Sequence, residues 1–110
     1  MPLLERTRVE VYLPDLPSSQ YQNLLRSLEK EFTYAFGGAS IIRGLEGSYL
    51  SASGEVIPDR INLLYCDAPL ALSKDFSNVA TYVRRLKRAA MEELSEEAVL
   101  ISVEKVYHEI

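Results

Sequence analysis

The chain has very few of the residues on which crosslinked folds and many catalytic sites depend. It contains one cysteine, one histidine and no tryptophan among 110 residues. Because Cys66 has no second cysteine to pair with, no internal disulfide can form, which is typical of a reducing compartment. One cysteine and one histidine, His108, also fall short of the ligand sets that zinc sites use. We therefore expect neither a metal ion nor another cofactor.

Long apolar runs and an excess of basic charge are also missing. No apolar segment approaches the roughly 20 residues that cross a bilayer, and Glu5 and Arg6 interrupt the apolar start that a signal peptide would need. The 12 basic and 16 acidic residues leave a net charge of −4, which argues against a general nucleic-acid-binding protein. The sequence thus predicts a cytoplasmic globular protein with one domain over residues 1–110 and with no nucleic-acid or membrane partner.

What the chain does contain is a clear succession of periodic segments. Apolar residues recur at strand spacing in four segments and at helical spacing in two. In chain order, the predicted elements are a strand over 6–13, a helix over 19–36, strands over 39–50 and 56–66, a helix over about 76–94 that begins after Ser73 or Asp75, and a strand over 99–108. This βαββαβ order predicts an α+β fold, the ferredoxin-like sandwich, whose four-stranded antiparallel sheet has the strand order 4-1-3-2. Both helices then cover one face of the sheet and leave the other face uncovered.

All five glycines lie in one stretch in the middle of the chain, which raises the question of a phosphate-binding loop. The stretch leaves a helix and enters a strand, the reverse of the order in a dinucleotide fingerprint, and the Gly-Lys-Ser/Thr sequence of a P-loop is missing. Gly37 and Gly38 are instead the expected C-terminal cap of the first helix. Gly54 is the expected left-handed residue of a three-residue hairpin loop. Gly44 and Gly47 remain as strand glycines that a ligand or a second backbone could approach closely.

The loop length sets the register of the predicted hairpin, because it places Ser51 opposite Glu55 and Glu46 opposite Arg60. In this register most of the large apolar residues of the hairpin fall on one side, which we expect to face the helices. They are Ile41, Leu45, Tyr49, Ile57, Ile61, Leu63 and Tyr65. The residues then expected on the uncovered side include Asn62, Leu64 and Cys66.

The uncovered face is the strongest candidate for function. It is predicted to be too apolar for a purely solvated surface and too charged for a core. A subunit interface, a pocket whose side chains transfer protons and a plain solvated surface all fit this mixture. The residues of this face that we expect to contact a second subunit or a ligand are Tyr12, Gly44, Glu46, Arg60, Glu104 and His108.

An enzymatic function is the alternative, and it makes different demands on the fold. A small cofactorless enzyme of the dimeric α/β-barrel type, such as an isomerase or a monooxygenase, usually needs polar side chains between the sheet and the helices. Arg43 and Asp59 have the parity for that position, and together with His108 they are the catalytic candidates. A Cys66–His108 dyad is disfavoured because the two residues are expected on strands about 10 Å apart, whereas a nucleophile and its base need about 3 Å.

Two remaining segments have an ordinary structural explanation beside a functional one. The basic cluster Arg84–Arg88 is expected to form a solvated helix face with pairs such as Arg88–Glu92, and contact with RNA or phosphate is the lesser alternative. The loop over Cys66–Asp75 carries two leucines, which could form a lid over the end of the sheet or simply seal the edge of the core.

The run FTYAFGGASIIRGLEGSYLSASGEVIPDRINLLY resembles a group of small uncharacterised bacterial and cyanobacterial proteins. In that group a helix ends in Phe-Gly-Gly, a strand with a glycine and an aromatic residue follows, and a turn leads to a strand that begins with an acidic residue. The matching positions are Gly37, Gly38, Gly44, Gly47, Tyr49, Gly54 and Asp59. Ser40 and Tyr49 stand where threonine and tryptophan are commoner. The resemblance implies a ferredoxin-like fold that self-associates, and it implies no particular activity.

The leading hypothesis from the sequence is therefore a non-enzymatic ferredoxin-like module. We expect it to form a homodimer through its uncovered face and to bind a partner or a small ligand. An RNA-binding module is disfavoured because Tyr12 is the sole aromatic residue expected on that face, whereas base stacking needs paired aromatic side chains.

Overall fold

The computed structural model describes residues 2–94 and 99–109 and has the predicted element order. Its elements are β1 (Leu3–Pro14), α1 (Ser19–Phe36), β2 (Ser40–Leu50), β3 (Val56–Ala68), α2 (Leu72–Leu94) and β4 (Leu100–Glu109). The four strands form one antiparallel sheet in the order β2-β3-β1-β4, which is the predicted order read from the other edge. The ferredoxin-like α+β fold expected from the sequence is therefore confirmed.

The first helix begins and ends where its sequence predicts. The hydroxyl of Ser18 accepts a hydrogen bond from the main-chain N–H of Tyr21 and so caps the first turn. At the other end, Gly37 has a φ of 93°, and its N–H donates to the carbonyl of Thr33. A residue with a Cβ rarely adopts this left-handed conformation, so the glycine stops the helix at Phe36.

The core lies between the two helices and one face of the sheet. Val9, Val11 and Leu13 of β1 are buried there and alternate with residues of the other face, as predicted. Tyr21 and Phe32 of α1 are the largest fully buried side chains that they meet. Within residues 2–94 and 99–109, neither helix is both long and apolar enough to cross a membrane.

The β2–β3 hairpin has the predicted loop and register at its tip. The Ser51 N–H donates to the carbonyl of Glu55 at 2.8 Å, and Gly54 has a φ of 86°. Nearer to the core, the register shifts between Ile42 and Leu45, where β2 has one residue more than its partner strand. This β-bulge is a feature that the sequence register did not include.

The prediction for the two faces of β3 is wrong. Leu64 lies opposite Val11 of β1 and therefore points toward the helices, where it is buried together with Asn62 and Cys66. The alternate positions, which face away from the helices, hold Ile57, Ile61, Leu63 and Tyr65. Both sets of positions are largely apolar, so alternation alone does not distinguish them, and the pairing with β1 decides.

The connection between β3 and α2 is much shorter than the predicted loop Cys66–Asp75. β3 continues to Ala68 and α2 already begins at Leu72. Thr7 Oγ1 donates to the carbonyl of Leu70 at 2.9 Å, which holds the connection against β1. The segment therefore forms no lid over the sheet.

Candidate functional site: the uncovered sheet face

The face of the sheet opposite the helices, which we call the uncovered face, carries an apolar row that runs across all four strands. Ile42 of β2 lies opposite Leu63 of β3. Leu63 lies opposite Tyr12 of β1, and Tyr12 lies opposite Leu100 of β4. At the two ends of the row, Ile42 is 43% and Leu100 59% exposed. The helices pack on the other side of the sheet, so in the monomer this row faces water.

Next to the apolar row, a charged cluster links β1, β3 and β4. Arg8 Nε donates to Asp67 Oδ1 at 2.7 Å, and Arg8 Nη2 donates to Asp67 Oδ2 at 2.9 Å. His108 Nε2 lies 2.8 Å from Asp67 Oδ2. Arg8 also stacks on Tyr65, with its Cζ atom 5.1 Å from the ring centre. Asp67 thus joins an arginine of the adjacent strand to a histidine two strands away.

These contacts stabilise the charged forms of both partners in the ion pair. The hydrogen bonds from Arg8 hold the pKa of Asp67 below its usual value, and the contact with His108 acts in the same direction. The hydrogen bond to Asp67 in turn raises the pKa of Arg8. Arg8 and Asp67 are therefore both charged near neutral pH and largely balance each other.

A pair of acidic residues lies between the charged cluster and the apolar row. The Tyr12 hydroxyl donates to Glu10 Oε2 at 2.9 Å, and this bond raises the pKa of Tyr12. Glu10 also raises the pKa of Glu104 on the neighbouring strand, because two carboxylates in contact resist double ionisation. Among the residues that the structure describes, no three His, Cys, Asp or Glu side chains are grouped as a metal site requires.

Only part of the predicted set of face residues lies on the uncovered face. Tyr12, Glu104 and His108 are there, on the positions of β1 and β4 that alternate with the core. Glu46 and Arg60 lie opposite each other, as predicted. Arg60 is two residues from the buried Asn62 and therefore lies on the same side of β3. The Glu46–Arg60 pair thus points to the helix side of the hairpin. Their assignment to the uncovered face is wrong because it followed from the inverted faces of β3.

Gly44 is not on the uncovered face either, since it forms the β-bulge. Its φ is 70°, and a Cβ at this position would lie 2.8 Å from Arg60 Nη2. Its N–H donates to Asn62 Oδ1 at 3.0 Å. The close approach that we expected from a ligand or a second subunit is made by this chain's own arginine.

Asn62 anchors the bulge from inside the fold. Besides accepting the bond from Gly44, its Nδ2 donates to Tyr21 Oη at 2.8 Å and to Asp15 Oδ1 at 3.2 Å. Arg60 Nε lies 3.9 Å from Asp15 Oδ2 on the outer side of this network. The buried amide thus uses its acceptor and both of its donors, as a polar group in a core must.

Arg43 and Asp59 do not meet between the sheet and the helices. Arg43 is exposed at the bulge, and Asp59 lies opposite Gly47 on the uncovered side of the hairpin. Asp59 lines an open depression of about 510 Å³ whose lining residues do not include Arg43. The inward position predicted for Asp59 is therefore wrong, and Arg43 is exposed to solvent and does not join Asp59 in a site between the sheet and the helices.

Cys66 and His108 point to opposite faces of the sheet. Cys66 is buried against the helices, and this burial raises the pKa of its thiol to about 12. His108 contacts Asp67 on the uncovered face. The two side chains form no nucleophile–base pair, which agrees with the separation expected from their strands.

The basic cluster Arg84–Arg88 of α2 is exposed except for the buried Leu86, as predicted for a solvated helix face. The ion pairs of the described residues involve Arg8, Arg60 and His108. The expected pair between Arg88 and Glu92 is not among them.

Sequence reasoning missed Asp67 and Tyr65 as members of the site. The loop prediction took in Asp67, and the inverted register put Tyr65 in the core. A strand extended past Cys66 would have included Asp67, and only the correct choice of face would have placed Tyr65 and Asp67 on the uncovered side. Because Tyr49 and Tyr65 also lie on the uncovered side, Tyr12 is not the sole aromatic residue there.

A cavity of about 470 Å³ that is widely open to solvent lies beside the charged cluster. Its walls come from the end of α1 and the connection to β2 (36–40), from β3 (65–67) and from Arg8. Pockets that bind small molecules typically have volumes of about 300–1,000 Å³. The cavity therefore has room for a small ligand at the border of the uncovered face.

Comparison with known proteins supports the fold and leaves the family open. No protein-family model and no curated protein matches the chain, so the resemblance to small uncharacterised bacterial proteins stays a prediction.

A phage SAM lyase in complex with S-methyl-5'-thioadenosine is similar over 94% of this chain and 88% of its own, at 14% identity and a TM-score of 0.61. CPII, a nitrogen regulatory PII-like protein from Thiomonas intermedia K12 bound to ADP, AMP and bicarbonate, is similar over 99% and 100%, at 12% identity and a TM-score of 0.57. The divalent cation tolerance protein Cut A1 from Thermus thermophilus is similar over 97% and 84%, at 18% identity and a TM-score of 0.50. At such identities the similarity concerns the fold.

Proposed function

We propose that this protein is a non-enzymatic module that self-associates, as a homodimer, through its uncovered face and binds a small ligand or a partner. We further propose that it works in the cytoplasm. The observation that carries the proposal is the apolar row from Ile42 to Leu100, which crosses the whole sheet on the side without helices. Covering this row would remove apolar surface from water, which is the main favourable term in association.

The charged cluster supports the same proposal, because it lets the face be covered without leaving single charges unpaired. Arg8 and Asp67 are already joined by two hydrogen bonds, and the side chain of Asp67 is only 17% exposed. Burying a charge is costly unless it is paired and hydrogen-bonded. An interface that extends from the apolar row onto this pair would meet that condition.

Self-association is tested by light scattering on the purified protein and on variants at the two exposed ends of the row. Ile42→Glu and Leu100→Glu should dissociate the assembly, since each places a charge in the proposed interface. Phe76→Glu is the matched control, because Phe76 is 66% exposed but lies on α2 in the helix layer. A wild-type protein that is monomeric at high micromolar concentration contradicts the proposal.

Ligand binding is the second part of the proposal, and the similar structures suggest the first probes. Two of them hold adenosine-containing molecules, namely S-methyl-5'-thioadenosine in the SAM lyase and ADP and AMP in the PII-like protein. A thermal-shift screen with such compounds, together with other metabolites, tests whether this chain binds any of them. If no compound raises the melting temperature at millimolar concentration, a partner protein is favoured over a small ligand.

A cofactorless enzyme of the isomerase or monooxygenase kind is the second candidate, and one observation favours it. The Nε2 atom of His108 lies 2.8 Å from Asp67 Oδ2, and a carboxylate in that position orients an imidazole for general acid–base catalysis. Mass spectrometry of each ligand after incubation with the protein distinguishes the two candidates. A ligand that the wild type converts and that His108→Asn leaves intact supports the enzyme.

A further inference from the structure

The cavity beside the charged cluster exists because β2 starts late. Its first residue, Ser40, pairs with Tyr65, whereas β3 continues for three more residues to Ala68. The connection that passes this end of β3, which pairs with β1 but not with β2, is Gly37, Gly38 and Ala39. With almost no side chains in the connection, the space next to the strand is left open and forms the cavity of about 470 Å³.

Gly38 has no structural need to be a glycine. Its φ is outside the left-handed region, and no atom lies within 4 Å of the position that a Cβ would take. Gly37, by contrast, has a φ of 93° that explains its identity. Neither backbone conformation nor packing requires a glycine at position 38, and a glycine there leaves the main chain open to close approach by a bound molecule.

The groups around the cavity include several hydrogen-bond donors without partners. Among the described residues, the main-chain N–H groups of Gly38 and Ala39, the hydroxyl of Ser40 and Arg8 Nη1 make no hydrogen bond to the protein. Asp67, in contrast, already has two hydrogen bonds from Arg8 and one contact with His108. A ligand that supplies acceptor oxygens would fit this arrangement, and a carboxylate or a phosphate supplies the strongest ones.

Two aromatic residues are among those that line the cavity, namely Phe36 at the end of α1 and Tyr65 of β3. The Phe36 ring packs against Phe32 and Tyr82, and the Tyr65 ring carries the Arg8 guanidinium at 5.1 Å from its centre. Aromatic walls favour a flat ring in the ligand. We propose that this cavity binds a small organic anion, a flat ring that carries a carboxylate or phosphate, with the anion at the Gly38–Ser40 backbone. This inference rests on the ligand-binding part of the proposed function and gives it a location and a chemical class.

The test uses a side chain to fill the cavity. Gly38→Leu should block binding without disturbing the fold, because the position has an ordinary φ and open space around it. Gly47→Leu is a matched control, since Gly47 has the same freedom but lines a different depression. With AMP as the probe in isothermal titration calorimetry, we expect the Kd of Gly38→Leu to rise at least tenfold and that of Gly47→Leu to stay within twofold of the wild type.

The same titration separates the two halves of the ligand class. Adenosine, which has the ring without the anion, and inorganic phosphate, which has the anion without the ring, should each bind at least tenfold more weakly than AMP. Adenosine that binds as tightly as AMP overturns the assignment of an anion. Failure of AMP to bind the wild type at millimolar concentration, or equal binding by Gly38→Leu, overturns the proposal as a whole.

Light scattering on Gly38→Leu keeps this inference distinct from self-association. The variant should have the wild-type mass, because position 38 lies outside the apolar row. A variant that loses both the ligand and the assembly would mean that the cavity forms only in the assembly, and the location of the site in the single chain would then be wrong.

Discussion

Arg8 and Asp67 lie opposite each other on neighbouring strands and are joined by two parallel hydrogen bonds of 2.7 and 2.9 Å. This bidentate geometry is the strongest that an arginine and a carboxylate can form. The pair occupies the uncovered face. Arg8 also lies over the Tyr65 ring and Asp67 also contacts His108, so the pair connects these two side chains.

Replacement of Asp67 by asparagine should lower the free energy of unfolding by about 1–3 kcal/mol at neutral pH, because hydrogen bonds to charged groups contribute roughly that much. The pKa of Asp67 is lower in the folded protein than in the unfolded chain. The ionised carboxylate therefore stabilises the fold at pH values above the pKa of the unfolded chain, and this stabilisation is lost as the pH falls through the pKa of the folded protein. The difference between wild type and Asp67→Asn should thus be constant above about pH 5 and shrink below about pH 4. Urea denaturation at a series of pH values measures it. Asp59→Asn is the control, since Asp59 makes no ion pair among the described residues, and a similar loss in this control would contradict the prediction.

Replacement of Asn62 by leucine should cost about 2–4 kcal/mol. The leucine leaves the N–H of Gly44 and the hydroxyl of Tyr21 without their partner inside the fold, and buried unsatisfied groups are expensive. Chemical denaturation measures the loss. Asn23→Leu, at an exposed position of α1, should change stability by less than about 0.5 kcal/mol; a comparable effect at both positions would mean that the buried network contributes little.

Replacement of Gly44 by alanine should destabilise the sheet edge by about 1–2 kcal/mol, because a Cβ strains the left-handed backbone and displaces the Arg60 guanidinium. Gly47→Ala on the same strand should be neutral or slightly stabilising, since nothing opposes its Cβ. Amide hydrogen exchange of β2 reports the difference locally. Equal exchange rates in the two variants would show that the bulge does not need a glycine.

The single thiol should react very slowly in the folded protein. Burial raises the pKa of Cys66 to about 12, which lowers the thiolate population near neutral pH by about a thousandfold relative to an ordinary cysteine. Alkylation by iodoacetamide, followed by mass spectrometry, should be far slower for the native protein than for the protein in guanidinium chloride. Native alkylation at the rate of the unfolded chain would indicate that the layer between the helices and β3 opens readily.

Local physical chemistry was enough to predict the element order, both ends of α1 and the hairpin turn. Ser18 and Gly37 cap α1, and Gly54 closes the turn, through interactions within a few residues of chain. Periodicity and capping depend on near neighbours, so a sequence displays them directly.

Tertiary structure alone decided which side of β3 faces the helices and what the uncovered face contains. Alternate positions of β3 are apolar on both sides, and the choice rests on pairing with β1 and on the extra residue at Gly44. Arg8, Asp67 and His108 come from three strands, with a sequence separation of 59 for the first two and 41 for the last two. Contacts over such separations follow from sheet order and twist, which periodicity does not encode. The sequence therefore predicted that the uncovered face is partly apolar, but it did not predict the contacts of the charged cluster.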